Sequence, residues 1–418
     1  MHGGLFPGSP FPVLGTNGRL GFAATVNLPD LADTYRLTTD DAHPDQYFFD
    51  GQWRRFDTRT IWLGVKEGWF TLPVPRTLRS TVHGPAFETA DGWVAVRYAG
   101  AGEIRAMEQF YRMGRAQNYE QWREAMAMRA IPSFNFLYAD ASGRIGYFYN
   151  AILPRRAEGY DWSGCVPGDT SDNIWAMNDR LEAPELVDPR SGWVASTNGA
   201  PWYVTDEVAN LAPDSFREAA PFIETYITNR GYRAVELLSP LARISDEQLL
   251  AAKFDVTSSA RSRTVEMVNL ILAANSANDA ELVEIQALLR TWDRRAASDS
   301  PAAALVGMSF IPLYNAVREG RPVPDPLTTV REAAVHLRTH FGRLDPPLGE
   351  VLRLRRGDAD LPLEGAPDVL RALRWHADED GRLNADFGDG LMMVMDWAPD
   401  GVLATRVIHQ WGASERPD

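Results

Sequence analysis

The spacing of apolar residues changes along the chain, from strict alternation to helical spacing and back again. In residues 47–99 and 133–154, apolar and polar positions alternate in short runs between Gly, Asp and Pro, which predicts antiparallel strands with one buried face. Residues 107–131 instead carry apolar side chains at helical spacing. Residues 390–409 return to the strand pattern around a Pro-Asp-Gly turn.

Between these strand-rich regions the pattern is mainly helical. Apolar residues recur at helical spacing in residues 229–239, 245–254, 260–275, 279–293, 301–317 and 328–341. Ser245 and Asp279 stand where helix N-caps are expected. Strands that enclose a helical section, without strict alternation, predict an α+β fold with antiparallel sheets. We expect one interwoven domain over residues 1–418, with a strand-rich part in 1–230, a mainly helical part in 231–345 and C-terminal strands in 346–418.

Residues 5–35 are predicted to form a hairpin followed by a polar loop. Asn17-Gly18 separates two apolar runs, and Asn-Gly is a strong hairpin signal because both central residues of the favoured turn need positive φ. The second strand, residues 19–26, ends in small residues that let a ligand approach the backbone closely. Residues 155–221 are dense in Gly, Pro, Asp and Trp, so we expect ordered loops over a site, with two short strands, one at 192–197.

Composition and charge limit the choice of partners. The 418 residues are 45% hydrophobic and 23% charged, as in ordinary globular proteins. A formal net charge of −14, with no basic patch in the sequence, argues against nucleic acid. The longest apolar run, residues 302–317, is too short to span a membrane. The single cysteine, Cys165, is expected to be a small buried hydrophobe, and a nucleophilic thiol is the alternative.

Short sequence motifs do not indicate a catalytic or metal-binding site in this chain. His336 and His340 are one helical turn apart, but the Glu that follows the first His in metal-dependent hydrolases is missing. We therefore interpret both histidines as structural. The sequence contains no Gly-x-Ser-x-Gly elbow and no phosphate-binding glycine loop, and Ser9 is followed by a proline that would block a strand-to-helix turn.

Longer sequence blocks are more informative than these motifs. In chain order they are FPGSPF, TNGRLGFAATVNLPDLADTY, VHGPAF, EQFYRM, SFNFLYADASGRIGYFYNA, AEGYDW, VPGDTSD, SGWVASTNGAPWY and TNRGYRAVELL. Their order and spacing resemble those of the penicillin acylase and acyl-homoserine-lactone acylase family over nearly the whole chain. The resemblance implies an N-terminal-nucleophile hydrolase, a four-layer αββα sandwich that cleaves the amide bond of small N-acyl substrates.

The resemblance also implies that part of the catalytic site lies outside these residues. In that family the nucleophile is the N-terminal serine of a β-chain, and its own α-amino group serves as the base. Residues 1–4 match a region inside the β-chain, and HQWGASERPD matches a stretch that continues further. We therefore expect a β-chain fragment truncated at both ends, inactive without its serine and its α-chain partner.

Two rival hypotheses and a location follow from the same comparison. The chain could be a catalytically dead remnant that binds an acyl ligand, or a calcium-stabilised structural module. No basic and apolar leader precedes His2. Family precursors carry signal peptides, so the resemblance implies a periplasmic or secreted protein.

Three positions match the charge-stabilising part of the family's site. Val26 matches the residue whose backbone N–H donates to the oxyanion, Asn198 matches the side chain that supplies the second donor, and Arg230 matches an arginine that supports the site. Two fixed donors aimed at a developing negative oxygen are a large contribution to acyl-transfer catalysis. Without the surrounding blocks, Asn198 would be interpreted as a turn residue before glycine.

An apolar acyl pocket is implied by Leu14, Ala24 and Phe134, which match pocket-lining positions of the family. Ordinary core positions are the alternative for each of them. Ala24 and Leu14, in place of bulkier or polar residues, favour an aliphatic acyl chain over an aromatic one.

A structural calcium site is implied by the Asp-x-x-Asp loop. Asp30, Ala32 and Asp33 match a loop that holds Ca²⁺ in some members through two carboxylates and a backbone carbonyl, and a second carbonyl would come from near Trp162. Hard oxygen ligands on a short loop suit calcium. Asp30 follows a proline and could instead cap a turn or a helix. No organic cofactor is expected.

Overall fold

The computed structural model describes residues 1–409 and Trp411. In chain order its strands are β1 (His2–Gly4), β2 (Leu14–Thr16), β3 (Leu20–Thr25), β4 (Ala32–Arg36), β5 (Gln46–Phe49), β6 (Gln52–Arg55), β7 (Asp57–Glu67), β8 (Phe70–Ser80), β9 (Pro85–Thr89), β10 (Gly92–Tyr98), β11 (Ser133–Asp140), β12 (Ile145–Ala151), β13 (Cys165–Pro167), β14 (Glu185–Val187), β15 (Leu352–Arg356), β16 (Ala359–Pro362), β17 (Leu373–Ala377), β18 (Leu383–Gly388), β19 (Leu391–Trp397) and β20 (Leu403–His409). The helices are α1 (Ala106–Arg115), α2 (Tyr119–Ala127), α3 (Asn229–Leu238), α4 (Asp246–Lys253), α5 (Arg263–Ala273), α6 (Ala280–Leu289), α7 (Ala303–Arg318), α8 (Pro326–Phe341) and α9 (Leu348–Val351).

Within the described residues these strands form three larger sheets and two separate hairpins. The first sheet has the strand order β1-β2-β3-β11-β12-β14 and is antiparallel throughout. The second sheet has the order β13-β4-β10-β9-β8-β7, and only the β13–β4 pair is parallel. The third sheet, β16-β15-β18-β17, contains one parallel pair, β15–β18. The hairpins are β5–β6 and β19–β20.

Helices α1 and α2 cover one face of the first sheet. Phe22 of β3 and Phe136 of β11 pack there against Trp122 of α2, and all three side chains are almost fully buried. On the opposite face, Tyr147 and Tyr149 of β12 pack in a second cluster with the loop region that follows β12. The first sheet therefore lies between a helical layer and a layer of ordered loops.

The later helices belong to a different core. Ile271 of α5, Leu305 of α7 and Leu337 of α8 are fully buried in one cluster with Leu373 of the third sheet. In the described residues, this cluster contains side chains of the third sheet and none of the second sheet. The helical section thus packs on its own small sheet beside the strand-rich part.

Most of the elements predicted from the pattern are present. Strands β11 and β12 form the hairpin predicted in residues 133–154, and β19–β20 form the C-terminal hairpin. The six helical segments correspond to α3 to α8, although α7 ends one residue later and α8 begins two residues earlier than predicted. The helix predicted over residues 107–131 is divided into α1 and α2, because the chain is extended at Ala116 and starts a new helix after Asn118. The Asn118 side chain accepts a hydrogen bond from the backbone N–H of Gln121 (2.9 Å), as an N-cap does.

Three local predictions are wrong. Residues 155–221 contain two short strands as expected, β13 and β14, but residues 192–197 form no strand. In the first hairpin, Asn17 precedes the turn rather than forming its centre: its backbone N–H donates to the Leu20 carbonyl (3.1 Å), and only Gly18 has a positive φ, of 95°. A glycine at the first central position is the type II′ signature. Cys165 is exposed, because side chains alternate along β13 and the neighbouring Val166 takes the buried face.

Two further sequence expectations concern membrane-spanning segments and the C-terminal block. No helix in residues 1–409 has the length and apolar content needed to cross a membrane. The C-terminal block HQWGASERPD lies outside the described residues except for His409 and Trp411.

Candidate active site

The site is built at the end of strand β3, and the register with β11 fixes which side chain faces which way. Phe136 lies opposite Ala24, and Asn135 lies opposite Thr25. Because side chains alternate along a strand, Ala24 faces the helical layer and Thr25 faces the loop layer. Val26 follows at the open end of the strand and is 55% exposed.

A chain of hydrogen bonds on the loop side ties a second segment to this strand end. The hydroxyl groups of Thr25 and Ser196 are 2.6 Å apart. Asn135 donates through Nδ2 to the Thr25 hydroxyl (3.3 Å), and the Tyr147 hydroxyl donates to Asn135 Oδ1 (2.8 Å). This network anchors the segment that carries Asn198, two residues after Ser196.

The Asn198 side chain bridges Val26 and Arg230. Asn198 donates through Nδ2 to the Val26 carbonyl oxygen (2.8 Å), and Arg230 donates through Nη1 to Asn198 Oδ1 (2.9 Å). A guanidinium group has no acceptor, so the amide atom that faces Arg230 must be the oxygen. The orientation of the amide is therefore fixed, and its NH₂ group retains a second hydrogen for another acceptor.

Asp368 holds Arg230 from the other side. Arg230 donates through Nε to Asp368 Oδ1 (3.3 Å), and the backbone N–H of Asn229 donates to Asp368 Oδ2 (2.8 Å). Burial raises the pKa of Asp368, and the adjacent Arg230 opposes that rise. Asn198 and Asp368 both have left-handed backbones, with φ of 59° and 64°, which Asn and Asp tolerate better than most residues.

The start of helix α3 explains why Arg230 points to this place. Thr228 is the N-cap, and its hydroxyl accepts from the backbone N–H of Gly231 (3.0 Å) while donating to the Thr197 carbonyl (3.1 Å). Arg230 therefore lies in the first helical turn, directly beside the segment that ends in Asn198. The three residues Val26, Asn198 and Arg230, far apart in the sequence, are brought together as the resemblance implies.

These three residues border a cavity of about 940 Å³ between the strand end and the helical section. Most of its wall is apolar and comes from α5, α7 and the third sheet, including Met267, Leu270, Phe310, Leu313, Tyr314, Val317, Leu373 and Phe387. Burial and the nearby Glu224 raise the pKa of Tyr226, another wall residue, to about 12, so its hydroxyl stays protonated at neutral pH. A cavity with apolar walls and a few convergent polar groups is typical of a small-molecule site.

The structure brings together only two of the three predicted acyl-pocket residues. Ala24 and Phe134 share a face of the first sheet and pack against the core under α1 and α2. Leu14 instead lies beside Leu391 of the β19–β20 hairpin, which covers the opposite face at Gly21. Gly15 of β2 lies opposite Phe22 of β3, so the two residues face the same side of the sheet as Ala24. Leu14, one residue earlier, therefore faces the other side, and the sheet separates it from Ala24 and Phe134.

A buried guanidinium occupies the loop that was compared with a calcium site. Arg156 donates through Nε to both carboxylate oxygens of Asp33 (3.0 and 2.9 Å) and through Nη2 to the Asp30 carbonyl (3.1 Å). Its Nη2 also lies 3.2 Å from the Asp30 carboxylate. Burial raises the pKa of Asp30, and Arg156 opposes that rise.

The two other compared positions have contacts within the protein. Ala32 is the first residue of β4 and pairs with Tyr98 of β10. The Trp162 indole N–H donates to the Ala157 carbonyl (3.0 Å), and its ring lies 5.8 Å from the guanidinium carbon of Arg156. A positive charge already lies between the two carboxylates, so the residues present do not fit a calcium ion.

Comparison with known proteins assigns the family. The family model described as penicillin amidase matches residues 1–418. The chain belongs to the penicillin amidase family. It is 26% identical over 193 residues to penicillin G acylase of Escherichia coli, which covers 46% of this chain and 23% of that protein. It is 22% identical over 462 aligned positions to acyl-homoserine lactone acylase PvdQ of Pseudomonas fluorescens, which covers 96% of this chain and 58% of the relative.

A solved structure agrees with the family assignment. The penicillin G acylase of Alcaligenes faecalis superimposes with a TM-score of 0.65 at 17% identity, over 98% of this chain and 82% of that one. This likeness confirms the predicted fold class, an α+β N-terminal-nucleophile hydrolase fold. The chain nevertheless spans less than two thirds of the two curated relatives.

Sequence comparison with the family missed several residues that build the site. Asp368 and Ser196 hold Arg230 and the Asn198 segment. Glu224 accepts from the Tyr149 hydroxyl and from the Leu28 backbone N–H (3.2 Å), which ties the segment after Val26 to the core, and burial raises the pKa of Glu224. Polar side chains such as these carry no local signal, because their partners are distant in the sequence.

Proposed function

We propose that this chain supplies the oxyanion-stabilising part of an amidohydrolase that cleaves N-acyl amides of the penicillin or acyl-homoserine-lactone type. The observation that carries the proposal is the Asn198 amide, held between Arg230 and Val26 at the rim of the cavity. The names of the relatives support the substrate class: one is a penicillin G acylase and another an acyl-homoserine lactone acylase.

In the proposed reaction, a serine hydroxyl attacks the carbonyl carbon of the amide, and the α-amino group of the same serine takes the proton. The C–N bond then breaks, the amine leaves with a proton, and water later hydrolyses the acyl-enzyme. The backbone N–H of Val26 and the second hydrogen of Asn198 Nδ2 would stabilise the negative oxygen of each tetrahedral intermediate. Arg230 would keep the amide in the orientation that offers a donor.

The serine and its partner chain are proposed to come from a longer precursor. The support is indirect: the chain covers 58% of the PvdQ relative and 23% of the Escherichia coli relative. By the same family comparison, we propose that the mature protein acts in the periplasm or outside the cell. Fractionation of the producing cells, followed by immunoblotting, tests the location independently of activity.

The test of function starts from the DNA upstream of the Met1 codon. If an in-frame α-chain and a serine are present, the whole precursor is expressed and assayed on acyl amides of graded chain length. We expect hydrolysis, and a loss of about a hundredfold or more in kcat for Asn198→Ala. The matched control is Asn269→Ala, which removes the same amide from an exposed position of α5 and should leave kcat unchanged.

Two results would contradict the proposal. Retention of full kcat by Asn198→Ala would remove Asn198 from the reaction, and turnover by the 418-residue chain alone would show that the nucleophile lies within it. A frame that closes directly upstream, with saturable binding of an N-acyl amide by this chain, would favour the acyl-binding remnant instead.

A further inference from the structure

We propose that Arg156 is a built-in replacement for a metal ion at the loop of residues 30–33, so that this loop keeps its shape without calcium. The proposal concerns the architecture of the chain and does not depend on its catalytic activity.

The first argument is the ligand set that Arg156 uses. Its guanidinium binds both oxygens of the Asp33 carboxylate, the Asp30 carbonyl and the Asp30 carboxylate, all between 2.9 and 3.2 Å. Two carboxylates and a backbone carbonyl are the oxygen donors that a hard divalent cation would take. In this structure the Arg156 side chain already binds these oxygen atoms.

The second argument is burial. The side chains of Arg156 and Asp33 are each only 1% exposed. The guanidinium carbon lies 4.2 Å from the centre of the Phe222 ring, and the Trp175 indole N–H donates to Asp33 Oδ2 (2.6 Å). A metal ion would have to displace a packed, hydrogen-bonded side chain, and removing one partner of a buried ion pair is strongly destabilising.

The third argument is position. The loop begins four residues after Val26, and the backbone N–H of Asp30 donates to the Phe222 carbonyl (2.9 Å). Strand β4 begins at Ala32 and pairs with β10. Arg156, in the segment after β12, therefore connects that segment to the loop of residues 30–33 and to strand β4 of the second sheet through one side chain.

The first experiment uses the unaltered full chain. The protein is treated with EDTA, dialysed, and melted with and without millimolar CaCl₂, and its calcium content is measured. We expect no stoichiometric calcium and the same Tm in all conditions. One retained calcium per chain, or a Tm that falls in EDTA and recovers with CaCl₂, would overturn the proposal.

The second experiment removes the guanidinium. Arg156→Met should lower the Tm of this 418-residue chain by about 3 to 6 °C, because two acidic groups are left without their buried counter-charge. It should also create a calcium response that the unaltered chain lacks, seen as partial recovery of Tm and as Tb³⁺ luminescence excited through the adjacent tryptophans. A variant that melts like the unaltered chain, or that shows no calcium or Tb³⁺ response, would contradict the replacement.

The neighbouring Arg155 provides the matched control. It forms ion pairs with Asp179 (3.2 Å) and Glu218 (2.8 Å), but these side chains are 44% to 72% exposed. Arg155→Met should therefore change the Tm by no more than about 2 °C and create no calcium response. An equal fall in both variants would show that the effect is not specific to the buried position. If Arg156→Met does not fold, the metal measurements on the unaltered chain decide alone.

Discussion

The contact between Arg230 and Asp368 offers the sharpest test of how the site is held. Their side chains are 20% and 13% exposed, and each has another partner: Asn198 for the guanidinium and the Asn229 backbone for the carboxylate. Asp368→Asn removes the charge and keeps a residue that tolerates the left-handed backbone. Arg230→Met removes the guanidinium and keeps much of the side-chain length.

The structure sets the expected magnitudes. Breaking one partner of a fully buried pair costs about 3 to 5 kcal/mol. Here the pair keeps some exposure and the remaining hydrogen bonds, so each single variant should lose about 2 to 3 kcal/mol of unfolding free energy. The double variant should lose less than the sum by about 1 to 2 kcal/mol, because the second change no longer leaves an unpaired charge.

The assay is denaturant unfolding of the four chains that make up this double-mutant cycle. As a control, Asp368→Asn is combined with Arg155→Met, which lies on the exposed surface elsewhere; that pair should be additive within about 0.5 kcal/mol. Additivity of Asp368→Asn with Arg230→Met would refute the reasoning, since it would show that the two side chains do not stabilise each other.

Three further predictions concern pH and the surface. Burial lowers the pKa of His83 in the folded chain. Its contribution to stability is therefore present above about pH 6.5 and is lost as the pH falls below that value, and His83→Gln should flatten this part of the plot of unfolding free energy against pH. The Asp386 carboxylate raises the pKa of His376 in the folded chain. The contribution of His376 to stability is therefore present below about pH 6.5 and is lost as the pH rises through the folded pKa. NMR titration should show that Asp386→Asn lowers the pKa of His376. Trp69, at the tip of the β7–β8 hairpin, is 93% exposed, so Trp69→Ser should leave the Tm unchanged and reduce concentration-dependent light scattering.

Local patterns predicted most elements because their causes are local. The β11–β12 hairpin and helix α4 follow from alternation, turn residues and caps within the segment itself; Ser245 indeed forms a capping box with Gln248. The strand expected at residues 192–197 does not form. Strands need a partner as well as a pattern, and here the backbone N–H of Ala195 finds the Val204 carbonyl in an irregular loop.

The site could be predicted only as far as the family resemblance reaches. The resemblance named Val26, Asn198 and Arg230, and in the structure hydrogen bonds join these three residues; their catalytic role stays a prediction. It gave no indication of Asp368 or Arg156, whose importance comes from burial and from partners distant in the chain. The calcium interpretation named the carboxylates of Asp30 and Asp33, which Arg156 contacts in the structure, but sequence spacing gave no indication of that arginine.

Arg230 and Arg156 fix polar groups near the end of β3 and in the loop of residues 30–33, and there is a physical reason why both are arginines. Arg156 and Arg230 each contact two different oxygen-bearing partners at once, through separate nitrogens of one rigid plane. A lysine presents a single point charge on a flexible stem and cannot span two such partners with fixed geometry. The net charge of −14 therefore says little about this region, where the buried Arg156 and the partly exposed Arg230 orient the polar atoms. Arg230 holds the Asn198 amide on the Val26 carbonyl at the end of β3, and Arg156 holds the loop of residues 30–33 that comes shortly after it in the chain.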